Sequence, residues 1–196
     1  METSDRILDI AERLVQMRGF NAFSYADVAK AVGIRKASLH YHFATKADLG
    51  LALVDRYRRT FLGALRAIDT EFPGSLKRLD RYVDIYASVL RKKRMCMCGM
   101  LATDAVTLPK PVRDSVAGFF EENVGWLTRV LDHGRRHREL RFEGTPESMA
   151  TFFVSSLEGA MLVAYGSGSY ERFDGAARRL LATVRPEKPK PKRRAS

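Results

Sequence analysis

The stretch from Arg35 to Lys46 concentrates cations, hydroxyls and imidazoles within about three helical turns. Cationic side chains neutralise phosphate groups, whereas hydroxyls and imidazoles donate hydrogen bonds to phosphate oxygens or base edges. Two small residues, Ala37 and Ser38, would let a helix approach a groove closely. The stretch therefore indicates a nucleic-acid surface, although an ordinary amphipathic helix with a solvated face has the same outline.

Cys96 and Cys98 form a second concentration of reactive chemistry. They could be small buried hydrophobic residues. They could be sensor thiols, with a pKa lowered by the basic run 91–94 and a helix N-terminus. They could join His133 and His137, one helical turn apart, in a metal site. A thiol enzyme is the fourth possibility, but C-x-C is not the C-x-x-C motif of redox folds.

The elements that must position the first stretch form a predicted helix-turn-helix. Ser24 is a candidate N-cap, with Asp27 three residues later as in a capping box. Gly33 ends this helix, because glycine adopts the left-handed conformation without a Cβ clash. A second helix is predicted from about Lys36 to Phe43, with one apolar face to bury.

Residues 3–49 resemble the DNA-binding domain of the tetracycline-repressor family (TetR/AcrR type). The order is specific: an amphipathic helix, RGF, a polar cap, DVAKAVGI, SLHYHF and TKADL. The residues that carry the resemblance are Ile7, Ala11, Leu14, Gly19, Phe20, Phe23, Ser24, Asp27, Val28, Ala29, Val32, Gly33, Ile34, Leu39, Tyr41, Phe43, Lys46 and Leu49. His40 departs from the pattern, since the family most often has tyrosine there.

The resemblance implies an all-α protein, in which an N-terminal three-helix helix-turn-helix DNA-binding domain precedes an α-helical ligand-binding and dimerisation domain. We expect the first domain over residues 1–48 and the second over residues 49–184. Residues 185–196 form a basic tail rich in proline and lysine, a composition typical of disorder.

The resemblance also implies which side chains contact double-stranded DNA. Those expected to position phosphates are Ser24, Tyr25, Tyr41, His42 and Lys46. Those expected to reach base edges are Arg35, Lys36, Ala37, Ser38 and His40. Because a palindromic operator requires a two-fold protein, we expect a homodimer. By resemblance, the two C-terminal helices would form its interface.

The inducer is expected at the body helices. A subgroup of the family often has a Cys-x-x-Gly-x-Leu turn, which Cys96 matches, and related regulators place a reactive cysteine there. We therefore expect a repressor released by a small-molecule or thiol-reactive inducer, with a thiol redox or metal-binding protein as the alternative. The candidate ligand-binding residues, each of which could instead simply fill the core, are Tyr82, Tyr86, Cys96, Cys98, Met100, Phe119, Trp126 and Phe153.

Composition narrows the class of protein. A net charge of +11 over 196 residues favours a polyanionic partner. The longest apolar stretch, 152–165, is short for a membrane span and contains Glu158, so no membrane partner is expected. The acidic N-terminal helix and the closely spaced cysteines suit a cytoplasmic protein. No phosphate-binding glycine loop, paired catalytic carboxylates or nucleophile elbow is present, so we expect no enzyme, cofactor or resident metal.

Overall fold

The computed structural model describes residues 2–186, and this part of the chain forms nine helices and no strand. The helices are α1 (Thr3–Arg18), α2 (Tyr25–Val32), α3 (Lys36–His42), α4 (Lys46–Glu71), α5 (Ser75–Arg91), α6 (Met97–Thr103), α7 (Lys110–Arg136), α8 (Pro146–Ser167) and α9 (Tyr170–Ala182). The predicted all-α fold class is confirmed. From residue 187 onward, the expected basic tail lies outside the described residues. We call α1–α3 the head and α4–α9 the body.

Local sequence signals fix the helix-turn-helix of the head. The Ser24 hydroxyl accepts a hydrogen bond from the Asp27 amide, and the Asp27 carboxylate accepts one from the Ser24 amide at 2.7 Å. Gly33 ends α2 with φ of +80°, the left-handed conformation that glycine adopts freely. The predicted cap and the predicted helix end are therefore both confirmed. α3 packs on α2 and buries only Leu39, so most of its circumference remains exposed.

The long helix α4 leads from the head into the body. It begins with a capping box between Thr45 and Asp48, and it packs against α1, α5, α6 and α7. Gly50 marks the closest approach on this helix, because a Cβ there would lie 3.1 Å from the Phe20 ring and 3.2 Å from a Val112 methyl. α7, α8 and α9 pack successively on one another and complete the body.

Polar contacts join the head to the two ends of the short helix α6. Before it, the Met95 amide donates to the Gln16 carbonyl of α1 at 3.1 Å. After it, the Asp104 carboxylate accepts the Phe20 amide at 2.8 Å. On α4, Arg56 forms ion pairs with Asp9 and Glu12 of α1. Any shift of α6 within the body would therefore be transmitted directly to the head.

Candidate nucleic-acid interface and thiol cluster

The exposed side of α3 presents the side chains that the sequence singled out. Arg35 is the N-cap residue of α3, and Lys36, Ala37 and Ser38 form its first turn; all four are exposed. At the far end, Tyr41 is 87% exposed, and its ring contacts the His42 ring edge-to-face with the centroids 5.4 Å apart. Two small residues directly after two cations leave room for a close approach to a polyanion.

A shallow cleft of about 340 Å³ beside α3 brings together residues from three helix ends. Its lining includes Ser24, Tyr25, Lys36, His40 and Lys46. Two of these are lysines, and α2 and α4 both begin here, so helix dipoles add to the positive potential. Charge, exposed donors and helix N-termini make this cleft suited to a phosphate group.

Lys46 is half-buried at this cleft. Its ammonium donates to the Phe23 carbonyl at 2.6 Å and lies 4.7 and 4.5 Å from the ring centroids of Phe20 and Phe23. Partial burial lowers the pKa of Lys46, while the charges of Asp104 and Asp27 partly offset this effect. Since an ammonium has three donors, two remain for a further acceptor.

Tyr25 and His40 support the turn between α3 and α4, Tyr25 from the buried side and His40 from the exposed side. The Tyr25 hydroxyl is 2.5 Å from the Thr45 carbonyl and 2.9 Å from the Phe43 carbonyl. Burial, and then the charge of Asp48, raises the pKa of Tyr25 to about 12. The His40 ring packs 4.7 Å from the Tyr25 ring, and its Nδ1 lies 3.0 Å from the Ala44 carbonyl. A carbonyl only accepts hydrogen bonds, so this contact favours the form of His40 that carries a proton on Nδ1.

A polar cluster lies inside the body around Cys96. This residue is the N-cap of α6, and its sulfur accepts the Gly99 amide at 3.5 Å. The Tyr57 hydroxyl donates to the same sulfur at 3.7 Å. The Glu158 carboxylate lies against Gly99 and the Cys96 thiol, and its Oε1 is out of solvent contact and has no hydrogen-bond partner among residues 2–186. We call Tyr57, Cys96, Cys98 and Glu158 the thiol cluster.

The predicted lowering of the cysteine pKa is wrong. Burial raises the pKa of both thiols well above the ordinary value, and the nearby Glu158 raises them further. The cations of the run 91–94 do not reverse this effect, because Arg91, Lys92 and Lys93 lie on the exposed surface. Burial also raises the pKa of Glu158 to about 7. Near neutral pH the two thiols are therefore protonated, whereas Glu158 is present in both its protonated and its ionised form.

The remaining candidate ligand-binding residues lie in a packed core. Tyr82 donates to the Asn123 amide oxygen at 2.7 Å, and the Asn123 amide nitrogen donates to the Tyr86 hydroxyl at 3.1 Å. The two hydroxyls are 3.0 Å apart, so the three side chains satisfy one another in a closed ring. Phe119 and Phe153 are almost fully buried, Met100 is half-buried, and the Trp126 indole donates to Asp69. Of these aromatic and methionine side chains, only Trp126 lines one of the clefts that stand out in the described structure.

The histidine and cysteine pairs are far apart. His133 contacts Ser75 at the start of α5, whereas Cys96 lies beyond the end of that helix. The seventeen residues of α5 span about 25 Å, so the two pairs cannot share an ion. Within residues 2–186, no group of three or more histidine, cysteine or acidic side chains could hold a metal.

Comparisons with known proteins agree with this geometry. Residues 7–53 match the family described as bacterial regulatory proteins, tetR family, and residues 75–180 match the tetracyclin repressor-like C-terminal domain. A solved TetR-family regulator from Agrobacterium tumefaciens is 32% identical, with a TM-score of 0.91 over 94% of this chain and 98% of that one. The chain belongs to the TetR family.

Two curated relatives are characterised regulators. The chain is 23% identical to the HTH-type transcriptional repressor NemR of Escherichia coli K12, over 89% of this chain and 90% of that one. It is 27% identical to the transcriptional regulator AcuR of Cereibacter sphaeroides, over 74% of this chain and 68% of that one. A solved structure of E. coli NemR in its reduced form shares the fold, with a TM-score of 0.81, 22% identity and coverage of 93% and 97%. The expected function, a ligand-responsive DNA-binding repressor, is confirmed, and the thiol redox or metal-binding alternative is not favoured.

Sequence reasoning missed several residues that the structure places at important positions. Glu158 was noted only as an interruption of an apolar run, yet it contacts the Cys96 thiol. Asp104 and Gln16 join the head to the body, and Asn123 completes the tyrosine ring. A single acid within an otherwise apolar helical run was the one signal that could have identified Glu158.

Proposed function

We propose that two copies of the chain bind a palindromic operator, with α3 of each copy in a major groove. The observation that carries this proposal is the exposed start of α3, where two cations, Arg35 and Lys36, are followed by two small residues, Ala37 and Ser38. The net charge of +11 would steer the protein toward DNA. We place the boundary between DNA-binding and regulatory domains at residues 48 and 49, where α4 leaves the head.

The second copy would dock on α8. This helix exposes Phe152, Leu162 and Val163, each about half exposed, and Gly159 leaves open space among them. Among the described residues, α8 is the one helix long and apolar enough by composition to cross a membrane. We assign the exposed side of α8 to a dimer interface in a cytoplasmic protein instead. The same helix carries Glu158, which contacts Cys96 inside the body, and α9, which packs on α8, adds small residues.

The DNA contacts divide by position. Arg35, Lys36, Ala37, Ser38 and His40 are proposed to reach base edges, since they lie on or beside the exposed first turns of α3. Ser24, Tyr41, His42 and Lys46 are proposed to hold phosphates around this helix. Tyr25 would act indirectly, because its hydroxyl is bonded to carbonyls inside the head.

A thiol-reactive inducer would act at Cys96. An α,β-unsaturated carbonyl compound would form a bond between its β-carbon and the Cys96 sulfur, and the thiol proton would pass to Glu158 and then to the α-carbon. The contact between this thiol and Glu158 supports the step, because a thiol with a raised pKa needs a proton acceptor. The added group would displace α6 and, through Met95 and Asp104, the head.

Fluorescence anisotropy of the protein on DNA from its own upstream region tests both the DNA interface and the thiol mechanism. We expect tight binding that weakens steeply with salt, and loss of binding after treatment with N-ethylmaleimide. The Cys96→Ser variant should retain binding after treatment, whereas Cys98→Ser, the matched control, should lose it. Binding that N-ethylmaleimide leaves unchanged would contradict the thiol mechanism, and binding without salt dependence would contradict the DNA interface.

A further inference from the structure

A separate cleft of about 240 Å³ opens at the junction of head and body. One wall is α1, another is formed by Tyr57 and Phe61 of α4, and the third by Ile85 and Val89 of α5. The walls from α4 and α5 are thus aromatic and aliphatic. Sites for drug-sized ligands usually exceed 300 Å³, so this cleft suits a smaller molecule.

Gln16 gives the cleft an unsatisfied acceptor. Its side chain lines the cleft, the residue is 3% exposed, and its Oε1 has no hydrogen-bond partner in the described structure. A buried acceptor without a donor is destabilising, and native proteins rarely leave one in that state. A ligand that brings an O–H or N–H group into the cleft would satisfy this oxygen.

The mouth of the cleft carries positive charge. Lys92 and Arg94 both line it, and neither forms an ion pair within residues 2–186. The only acidic group of the lining is Glu12, which Arg56 holds at 2.7 Å. The free charge at the mouth is therefore cationic, and it complements a carboxylate.

We propose that this junction cleft binds a small amphipathic carboxylate that carries a hydrogen-bond donor, such as a hydroxylated aromatic acid. The carboxylate pairs with Arg94 and Lys92, the apolar body packs on Tyr57 and Phe61, and the donor reaches the Gln16 oxygen.

Such a ligand would contact both the head and the body. Gln16 belongs to the head, and its carbonyl accepts the amide of Met95, the residue after Arg94. Tyr57, which forms part of the wall from α4, also donates to the Cys96 sulfur. The cleft and the thiol cluster therefore share the Tyr57 side chain. The regulatory consequence, weaker operator binding when the cleft is filled, rests on the proposed function; ligand binding itself does not.

Isothermal titration calorimetry of the DNA-free protein tests the site, with 4-hydroxybenzoate as the probe. We expect binding that weakens about tenfold or more for its methyl ester, which lacks the charge, and less strongly for benzoate, which lacks the donor. Arg94→Gln should weaken binding of the acid by a similar factor, and Ala64→Leu, which fills the cleft, should abolish it. Arg91→Gln, a charge loss in the same basic run that lines a different cleft, should leave binding unchanged.

The proposed site is overturned if acid and ester bind equally well, if Arg94→Gln binds the acid as tightly as the parent protein, or if the acid does not bind. Circular dichroism of Ala64→Leu shows whether this variant loses acid binding while still folded. If the variant is unfolded, Arg94→Gln serves as the second test. Anisotropy on the upstream DNA then separates the two proposals. An acid that binds but leaves operator affinity unchanged overturns the regulatory coupling alone. A protein that binds no DNA even without acid overturns the proposed function, whereas the calorimetric result stands.

Discussion

The surface of α3 and the thiol cluster are built in opposite ways. On α3 one side chain, Leu39, is buried, and the functional groups project into solvent. In the thiol cluster Cys96 and Cys98 are buried, and their chemistry depends on Tyr57 and Glu158 from two other helices. An exposed group keeps roughly its ordinary properties, whereas a buried group takes its pKa and reactivity from its neighbours. This difference predicts a distinct response to mutation in each region.

The largest effect is expected for Glu158→Gln. Burial raises the pKa of Glu158 from 4.5 to about 7, so the folded state binds the proton more tightly than the unfolded state between these values. The free energy of unfolding should therefore fall as pH rises from 4.5 to about 7, by up to about 3 kcal/mol, and then level off. Urea unfolding across this pH range measures the slope, which Glu158→Gln should remove.

Glu147→Gln supplies the control, because this exposed acid begins the same helix. It should keep the pH dependence of the parent protein. If Glu158→Gln has the same slope as the parent, the carboxyl is solvated and the electrostatic description of the thiol cluster is wrong.

The contrast also explains which features the sequence could predict. The Ser24 cap, the Gly33 turn and the face of α3 follow from interactions within a few residues, and the structure confirms these elements. The direction of the cysteine pKa shift depends first on burial and then on Glu158, sixty-two positions from Cys96 along the chain. The basic run 91–94 was the nearest charge in sequence, but burial and Glu158 outweigh it in space. Local signals therefore predicted the exposed face of α3, and tertiary contacts determine the properties of the buried thiol cluster.

Arg35→Ala should change sequence preference. The Arg35 side chain is exposed at the start of α3 and makes no cap hydrogen bond, and the backbone carbonyl that accepts from α3 is kept in Arg35→Ala, so the free energy of unfolding should change by less than about 0.5 kcal/mol. If it reads a base edge, its loss should reduce discrimination at one base pair of each half-site by about 1–3 kcal/mol. Competition anisotropy with single-base operator variants measures this. Arg13→Ala, which removes an exposed arginine on α1, should leave base discrimination unchanged at every operator position. If Arg35→Ala instead binds all operator variants more weakly by the same factor, Arg35 contacts phosphate.

Lys46→Ala should instead weaken binding to all DNA sequences alike. The lysine lies at the cleft between α2 and α4, and two of its three donors are free for a phosphate. Loss of one phosphate contact should reduce the slope of log affinity against log salt by about 1. Anisotropy at several salt concentrations on specific and unrelated DNA measures both quantities. A changed sequence preference with an unchanged salt slope would show that Lys46 does not contact phosphate.

Tyr25→Phe should have the smallest effect. It distinguishes a residue that holds α3 in place from a residue that contacts DNA. The Tyr25 hydroxyl lies against the carbonyls of Phe43 and Thr45, where α3 ends and α4 begins. Its removal should cost about 0.5–1.5 kcal/mol of unfolding free energy. DNA affinity should fall modestly, because α3 is less firmly held, while the salt slope stays that of the parent protein. Thermal unfolding and the salt titration used for Lys46→Ala measure these two effects on one sample. A reduced salt slope with unchanged stability would mean that the hydroxyl turns outward to a phosphate in the complex, so that this buried residue of the head functions as an exposed one.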